Sequence, residues 1–371
     1  MNQQTPLRTP PKQAPQPSPA SAPQQSNTFL ARLLLILLAA SIAVIIGCVI
    51  LIGVVLSGRN GDKMEADNSS DLPASGEVGQ PDTDRGAVAT VPSRTDYDIP
   101  KAGSYESIKG VSSKYAILVD LDSYEAIAGK NADTEICPAS MTKVMTILVV
   151  SERLKSLDDR LTITAEILDD SLSGGGSGLK NLWVEGNEFS VEDLMYLAFM
   201  QSDTVACKLL ANYVAGNEEE FTRLMNEKAR EIGMDDTVFA NSTGLSIKGE
   251  TYHSTCRDIA MLMAYSLENP LAERVLTATD WVLKKRYAPI GERTTIKPTW
   301  LTERLGVAEL ETVTVKGGKT GWEDAPGACL VTYATANEGG GEYILVTVGG
   351  DRLSAKKSTA DVKQIYSTYV N

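Results

Sequence analysis

The chain has 371 residues, 43% of them hydrophobic and 22% charged, with a net charge of −13. That balance excludes a fibrous or wholly disordered protein. Its acidity argues against a nucleic-acid partner, because phosphate binding needs clustered Lys and Arg. With one histidine, His253, and five cysteines that lack metal-ligand spacing, no metal or other cofactor is expected.

Residues 1–32 open the chain as a proline- and glutamine-rich segment, expected to be an extended, disordered cytoplasmic tail. Residues 33–56 form an uncharged run dominated by Leu, Ile, Val and Ala. About 20 apolar residues cross a hydrocarbon core of ~30 Å, so a single transmembrane helix is predicted here. The run exceeds the apolar core of a cleaved signal peptide. Ile45-Ile46-Gly47-Cys48 loosely resembles a lipoprotein processing site, but apolar residues continue well past Cys48. Arg8, Lys12 and Arg32 precede the span, whereas Arg59 and Lys63 after it are interleaved with Asp62, Glu65 and Asp67. This bias predicts an inside N-terminus. Residues 57–104, rich in Gly, Ser, Pro and Asp, read as a flexible extracytoplasmic linker. A cell-membrane protein is therefore expected, with residues 105–371 folded outside. Cys137, Cys207, Cys256 and Cys329 would face an oxidising compartment, yet each sits in an apolar context and is expected to be a buried thiol.

Within 105–371, residues 115–122 read as a strand ending in turn residues, with a hairpin partner around Ala126, Ile127 and Ala128. Pro138 and Ser140 stand where a helix begins. The apolar residues after Lys143 are too many for a surface helix, so a buried helix is predicted with Ser140 at its N-terminal end. Ser190-Val191-Glu192-Asp193 resembles a capping box opening a helix through Met200. A break at Gln201-Ser202-Asp203 precedes a further helix, 204–214. Strands are predicted at 312–315, 328–332 and 343–348, and a closing helix at 355–369. Strands at both ends with helices between them imply an α/β domain carrying an all-helical insertion.

Three short motifs carry chemistry. In Ser140-Met141-Thr142-Lys143 the serine and lysine share a helix face, so the amine can reach the hydroxyl. A serine is a weak nucleophile until a base takes its proton, and a lysine serves only when neutral, which requires desolvation or a second cation. Gly318-Lys319-Thr320 superficially suggests a phosphate loop, but that signature requires a glycine where Val313 stands. The glycine-rich stretch 174–178 lacks the following Gly-Lys. The better reading of Lys319-Thr320-Gly321-Trp322 is an edge strand presenting Lys319 and Thr320 to a cleft, with Gly321 admitting substrate backbone. Ser202, in the break between two helices, carries no weight alone.

In this order the three motifs resemble the D-alanyl-D-alanine carboxypeptidases, low-molecular-mass penicillin-binding proteins of the serine/lysine type. The resemblance covers nearly all of 105–371. It includes Pro138-Ala139-Ser140-Met141-Thr142-Lys143, Val191-Glu192-Asp193-Leu194, Gly233-Met234, Phe239 to Leu245, Ser254-Thr255 with Arg257-Asp258, and Gly318 to Trp322 leading to Gly327 to Val331. It implies a mainly antiparallel sheet flanked by helices plus an all-helical subdomain, as in beta-lactamases and DD-peptidases. The implied substrate is the D-Ala-D-Ala end of a peptidoglycan stem peptide, with beta-lactams as inhibitors. Ser140 would be the nucleophile, Lys143 its base, and Ser202 a proton relay. Lys319 and Thr320 would bind the terminal carboxylate, Lys319 also keeping Lys143 neutral, and Gly321 would let the substrate approach. The N–H groups of Ser140 and Trp322 would form the oxyanion hole. Arg352 is read as a surface residue or a further carboxylate contact.

One departure stands out. The family's middle motif is Ser-x-Asn, and here Thr204 replaces the asparagine as the expected substrate contact. Losing one such hydrogen bond costs about 1–3 kcal/mol, roughly ten- to a hundredfold in rate. A membrane-tethered peptidoglycan-binding scaffold with little turnover is the alternative that Thr204 leaves open. A class A beta-lactamase needs a Glu-x-x-Leu-Asn segment after the middle motif, and Glu166 lies before it. Family members often carry a second, β-rich domain and a C-terminal amphipathic anchor. Neither is expected after the closing helix, and the N-terminal span would replace the anchor.

Overall fold

The computed structural model describes residues 99, 105–173, 182–246, 252–284, 294–306, 308–323, 327–350 and 355–370. The expected tail, transmembrane helix and most of the linker, together with Gly174–Gly178 and Arg352, lie outside them. Among the described residues no helix is long and apolar enough to cross a membrane.

In chain order the strands are β1 (Glu106–Ser107), β2 (Tyr115–Asp120), β3 (Glu125–Lys130), β4 (Arg160–Thr162), β5 (Glu188–Ser190), β6 (Trp281–Val282), β7 (Thr295–Ile296), β8 (Val313–Glu323), β9 (Gly327–Ala336) and β10 (Glu342–Gly350). The helices are α1 (Lys143–Arg153), α2 (Ala165–Ser173), α3 (Val191–Met200), α4 (Thr204–Ala215), α5 (Glu218–Glu231), α6 (Cys256–Leu267), α7 (Pro270–Leu276) and α8 (Ala355–Tyr369). Six strands form one sheet in the order β1-β3-β2-β10-β9-β8. Every pairing in it is antiparallel except β1 with β3.

Alternation along β2, β9 and β10 separates two cores. Ile117, Val119, Val331, Tyr333, Ile344 and Val346 face the cluster shared with α1, α3, α4 and α6. Ala116, Leu118, Leu330, Ala334 and Leu345 face a second cluster with Val362, Ile365 and Tyr366 of α8. The sheet is thus sandwiched between helices, as the resemblance implies. The segment between β3 and β8 is not purely helical, however. It carries two ribbons, β4–β5 and β6–β7, whose two- or three-residue strands are too short for an alternating pattern to reveal.

Helix α1 is buried along its whole first two turns, which matches the uninterrupted apolar sequence. Ser190 caps α3 by accepting from the Asp193 N–H, and the Asp193 carboxylate takes the Trp281 Nε1–H at 2.8 Å and the Lys284 N–H at 3.1 Å. The segment that caps α3 therefore also ties it to Trp281 of β6. All four described cysteines are free thiols; Cys207, Cys256 and Cys329 are buried. Cys137 departs from the expectation. It is only half-buried, with its Sγ 2.9 Å from the Tyr252 hydroxyl.

The predicted strand 312–315 and the Lys319 motif belong to one strand, β8, at the edge of the sheet. A β-bulge interrupts its ladder with β9 between Val315 and Gly317. Val315 pairs with Ala334 on the α8 side, whereas Lys319 pairs with Val331 and Gly321 with Cys329 on the other side. One extra residue reverses which face the later residues share. The bulge thereby turns Lys319 and Gly321 toward the helices.

Candidate active site

Ser140 lies on a single 3₁₀ turn, Ala139–Thr142, which runs directly into α1. Ala139, just before it, has a φ of 48°, a conformation that non-glycine residues hold only when their surroundings enforce it. Two features do so. Ile136 is bridged to Ser254 by N–H···O bonds of 2.8 and 2.9 Å, and the segment 241–245 closes over the turn. Asn241 Oδ1 accepts from the N–H groups of Thr243 and Gly244 at 3.0 and 2.8 Å, which shapes that segment.

Lys143 Nζ donates to Ser140 Oγ at 3.1 Å and to the Thr243 carbonyl at 2.6 Å. The lysine is fully buried while Ser140 is half-exposed, so the hydroxyl meets solvent and the amine does not. Burial pulls the Lys143 pKa below its ordinary value; Cys207 and Asp203 oppose that shift without cancelling it. A base held neutral beside a serine hydroxyl can accept its proton. The sequence left desolvation or a second cation as the cause, and the resemblance implied Lys319; desolvation is the largest cause here.

A second pair stands opposite. Ser202 occupies the break between α3 and α4 with a φ of 55°. Lys319 Nζ donates to Ser202 Oγ at 3.0 Å and to the Thr320 carbonyl at 2.7 Å. Thr204, in the first turn of α4, is buried, and its hydroxyl has no hydrogen-bond partner among the described residues. Thr320 pairs with Leu330, and its hydroxyl lies 2.6 Å from that of Thr299. Trp322 is 41% exposed. Gly321 contacts the protein itself: a Cβ there would lie 3.2 Å from Ala139 Cβ and 3.3 Å from both Cys329 Cβ and Ser140 N. Its small size therefore seats β8 against the serine turn, rather than serving only the approach of substrate.

The structure thus brings Ser140 to Lys143 and Ser202 to Lys319. Sequence reasoning gave no role to Thr243, Gly244, Thr299 or Trp183. The stretch 239–245 carried the resemblance, and its Asn-Ser-Thr-Gly turn composition was the available signal. Nothing in the sequence tied Thr299 to Thr320, or Trp183 to the Asp203 carboxylate that accepts from its Nε1–H at 2.9 Å.

A serine–lysine pair on a helix start, faced by an edge strand with a second lysine, is the arrangement that serine/lysine acyl transfer requires. The D-alanyl-D-alanine carboxypeptidase family matches residues 102–352, and the chain belongs to it. D-alanyl-D-alanine carboxypeptidase DacF of Bacillus subtilis is 30% identical over 254 residues, 68% of this chain and 61% of that protein. DacC of Escherichia coli is 32% identical over 255 residues, 67% of this chain and 60% of that protein. The chain thus spans about three fifths of these curated relatives. Penicillin-binding protein D2 of Listeria monocytogenes, solved in its ampicillin-bound form, shares the fold with a TM-score of 0.57. It is 24% identical and covers 70% of this chain and 98% of that one.

Proposed function

We propose that this protein is a serine-type D-Ala-D-Ala carboxypeptidase that trims the terminal D-alanine from peptidoglycan stem peptides. The observation that carries the reading is the 3.1 Å contact between Ser140 Oγ and the buried, pKa-lowered amine of Lys143.

In the proposed reaction Ser140 Oγ attacks the carbonyl carbon between the two D-alanines as Lys143 takes its proton. The N–H groups of Ser140 and Trp322 stabilise the oxyanion. The close seating of Gly321 against Ser140 supports that pairing. The C–N bond then breaks, and the proton that Lys143 took passes through Ser202, which Lys319 orients, to the departing amine, leaving Lys143 neutral again. Water, deprotonated by Lys143, attacks the acyl-enzyme and restores Ser140. Lys319 and Thr320 bind the terminal carboxylate, and Thr204 contacts the substrate where the family has asparagine. Beta-lactams acylate Ser140 in the same way and inhibit the enzyme. No feature of the described residues favours a low-turnover scaffold. Residues 33–56 anchor the protein in the cell membrane as one span, with the tail 1–32 inside. The linker lets the catalytic domain reach the wall, and it ends by Ile99, which is fully buried in the core with its carbonyl accepting from Arg257 at 2.7 Å.

The test incubates wild type and Ser140→Ala with a fluorescent penicillin and, separately, with a peptide ending in D-Ala-D-Ala. Covalent labelling and D-alanine release that both vanish in the variant are expected. A folded wild-type protein that does neither refutes the proposal.

A further inference from the structure

Glu218 opens α5 and shares its first turn with Glu219 and Glu220. Acidic side chains are stabilising at a helix N-terminus, and they need not leave water to be so. Glu218 turns inward instead. Its Oε1 accepts from the Ser242 N–H at 2.6 Å, while its Oε2 is buried without a hydrogen-bond partner among the described residues. Burying a carboxylate oxygen unpaired is costly. The helix end is already capped by Asn217, which accepts from the Glu220 N–H at 2.8 Å. The needs of α5 therefore do not account for the contact.

What the contact holds does account for it. Ser242 is fully buried. Its carbonyl accepts from Thr146 Oγ1 at 2.6 Å, so α1 pins the C=O of this residue while α5 pins its N–H. Thr146 lies three residues after Lys143, on the same face of α1. The next carbonyl along, that of Thr243, takes Lys143 Nζ at 2.6 Å, and Gly244 then packs against Ala139. Two neighbouring carbonyls thus receive two side chains from one face of α1. Lys143 makes two hydrogen bonds among the described residues, to the Thr243 carbonyl and to Ser140 Oγ. The place of that carbonyl therefore decides where the amine stands against the hydroxyl. Asn241 shapes the segment from within. Glu218 braces it from outside, at the residue beside Thr243.

We propose that Glu218 is a positioning residue for acylation: by holding the Ser242 N–H it fixes the Thr243 carbonyl that keeps the Lys143 amine on the Ser140 hydroxyl. This rests on the acylation chemistry proposed above. The role requires an acceptor of the right reach, so glutamine fills it and alanine does not.

The test measures penicillin acylation by the full-length protein, with saturation kinetics separating initial binding from the acylation rate constant. Glu218→Ala should acylate roughly tenfold more slowly at saturation with initial binding unchanged, because a loosened carbonyl misplaces the base. Glu218→Gln keeps an acceptor and should stay within about threefold of wild type. Asn217→Ala removes the α5 cap without touching Ser242. It should lower the urea midpoint and leave the acylation rate constant in place. An unchanged rate constant in Glu218→Ala overturns the proposal. So does equal slowing in Asn217→Ala, which would make Glu218 a stabiliser of α5 only, or a glutamine variant as slow as the alanine one. Should Glu218→Ala not fold, Glu218→Asp, one methylene short of the Ser242 N–H, decides in its place: slowing supports the proposal and a wild-type rate overturns it. Wild-type labelling that does not depend on Ser140 refutes the acylation reading instead, and this inference with it.

Discussion

Gly244 backs so closely onto Ala139 that a Cβ at Gly244 would lie 2.0 Å from the Ala139 carbonyl oxygen. Gly244 also has a φ of 70°, so both space and backbone conformation demand glycine there. Ala139 is itself held at positive φ, and the contact locks the turn that carries Ser140. Gly244→Ala is expected to displace the serine and lower the penicillin labelling rate about a hundredfold, since ångström misplacement in an active site costs that much. Stopped labelling at timed intervals on folded protein measures it, and a loss below threefold would show that the turn tolerates the shift.

Thr204 presents a buried hydroxyl without a partner among the described residues. Removing an unsatisfied buried polar group recovers about 1 kcal/mol. Thr204→Val should therefore be more stable in urea unfolding while releasing D-alanine about tenfold more slowly. Thr204→Asn should release it faster than wild type. Stability and activity moving up together in Thr204→Val would mean that the hydroxyl does not meet substrate.

Lys143 combines full burial with a lowered pKa. Unfolding exposes the amine, which then binds a proton at any pH below its ordinary value of 10.5. Between the folded and unfolded values the unfolded state holds more protons, so this group makes stability rise with pH. Lys143→Met removes that dependence. The stability of the variant relative to wild type should shrink as pH climbs toward 10, measured by denaturant midpoints across the range. A constant difference would mean that the lysine is charged in the fold.

Thr299 meets Thr320 hydroxyl to hydroxyl at 2.6 Å. Thr299→Val frees the Thr320 hydroxyl to rotate and should raise KM for the D-Ala-D-Ala peptide about three- to tenfold with kcat little changed. A fall in kcat at constant KM would assign Thr299 to the chemical step rather than to carboxylate binding.

Much of this protein was legible from the chain alone, because it rests on short-range periodicity. The apolar run after Lys143 dictated a buried helix, and three-residue spacing set Lys143 under Ser140. Apolar runs bounded by turn residues identified the strands that became β2, β9 and β10. Tertiary structure decided the rest. Val315 and Lys319, four residues apart, would share a face in a regular strand. Only the β8–β9 ladder reveals the bulge at Lys316 that sends Val315 to the α8 core and Lys319 to the cleft. The carbonyl that steadies Lys143 comes from Thr243, a hundred residues away, and Trp183 reaches Asp203 from the chain ahead of α3. Such contacts arise where separate elements meet across a packed interior, and no local pattern of residue types encodes that meeting.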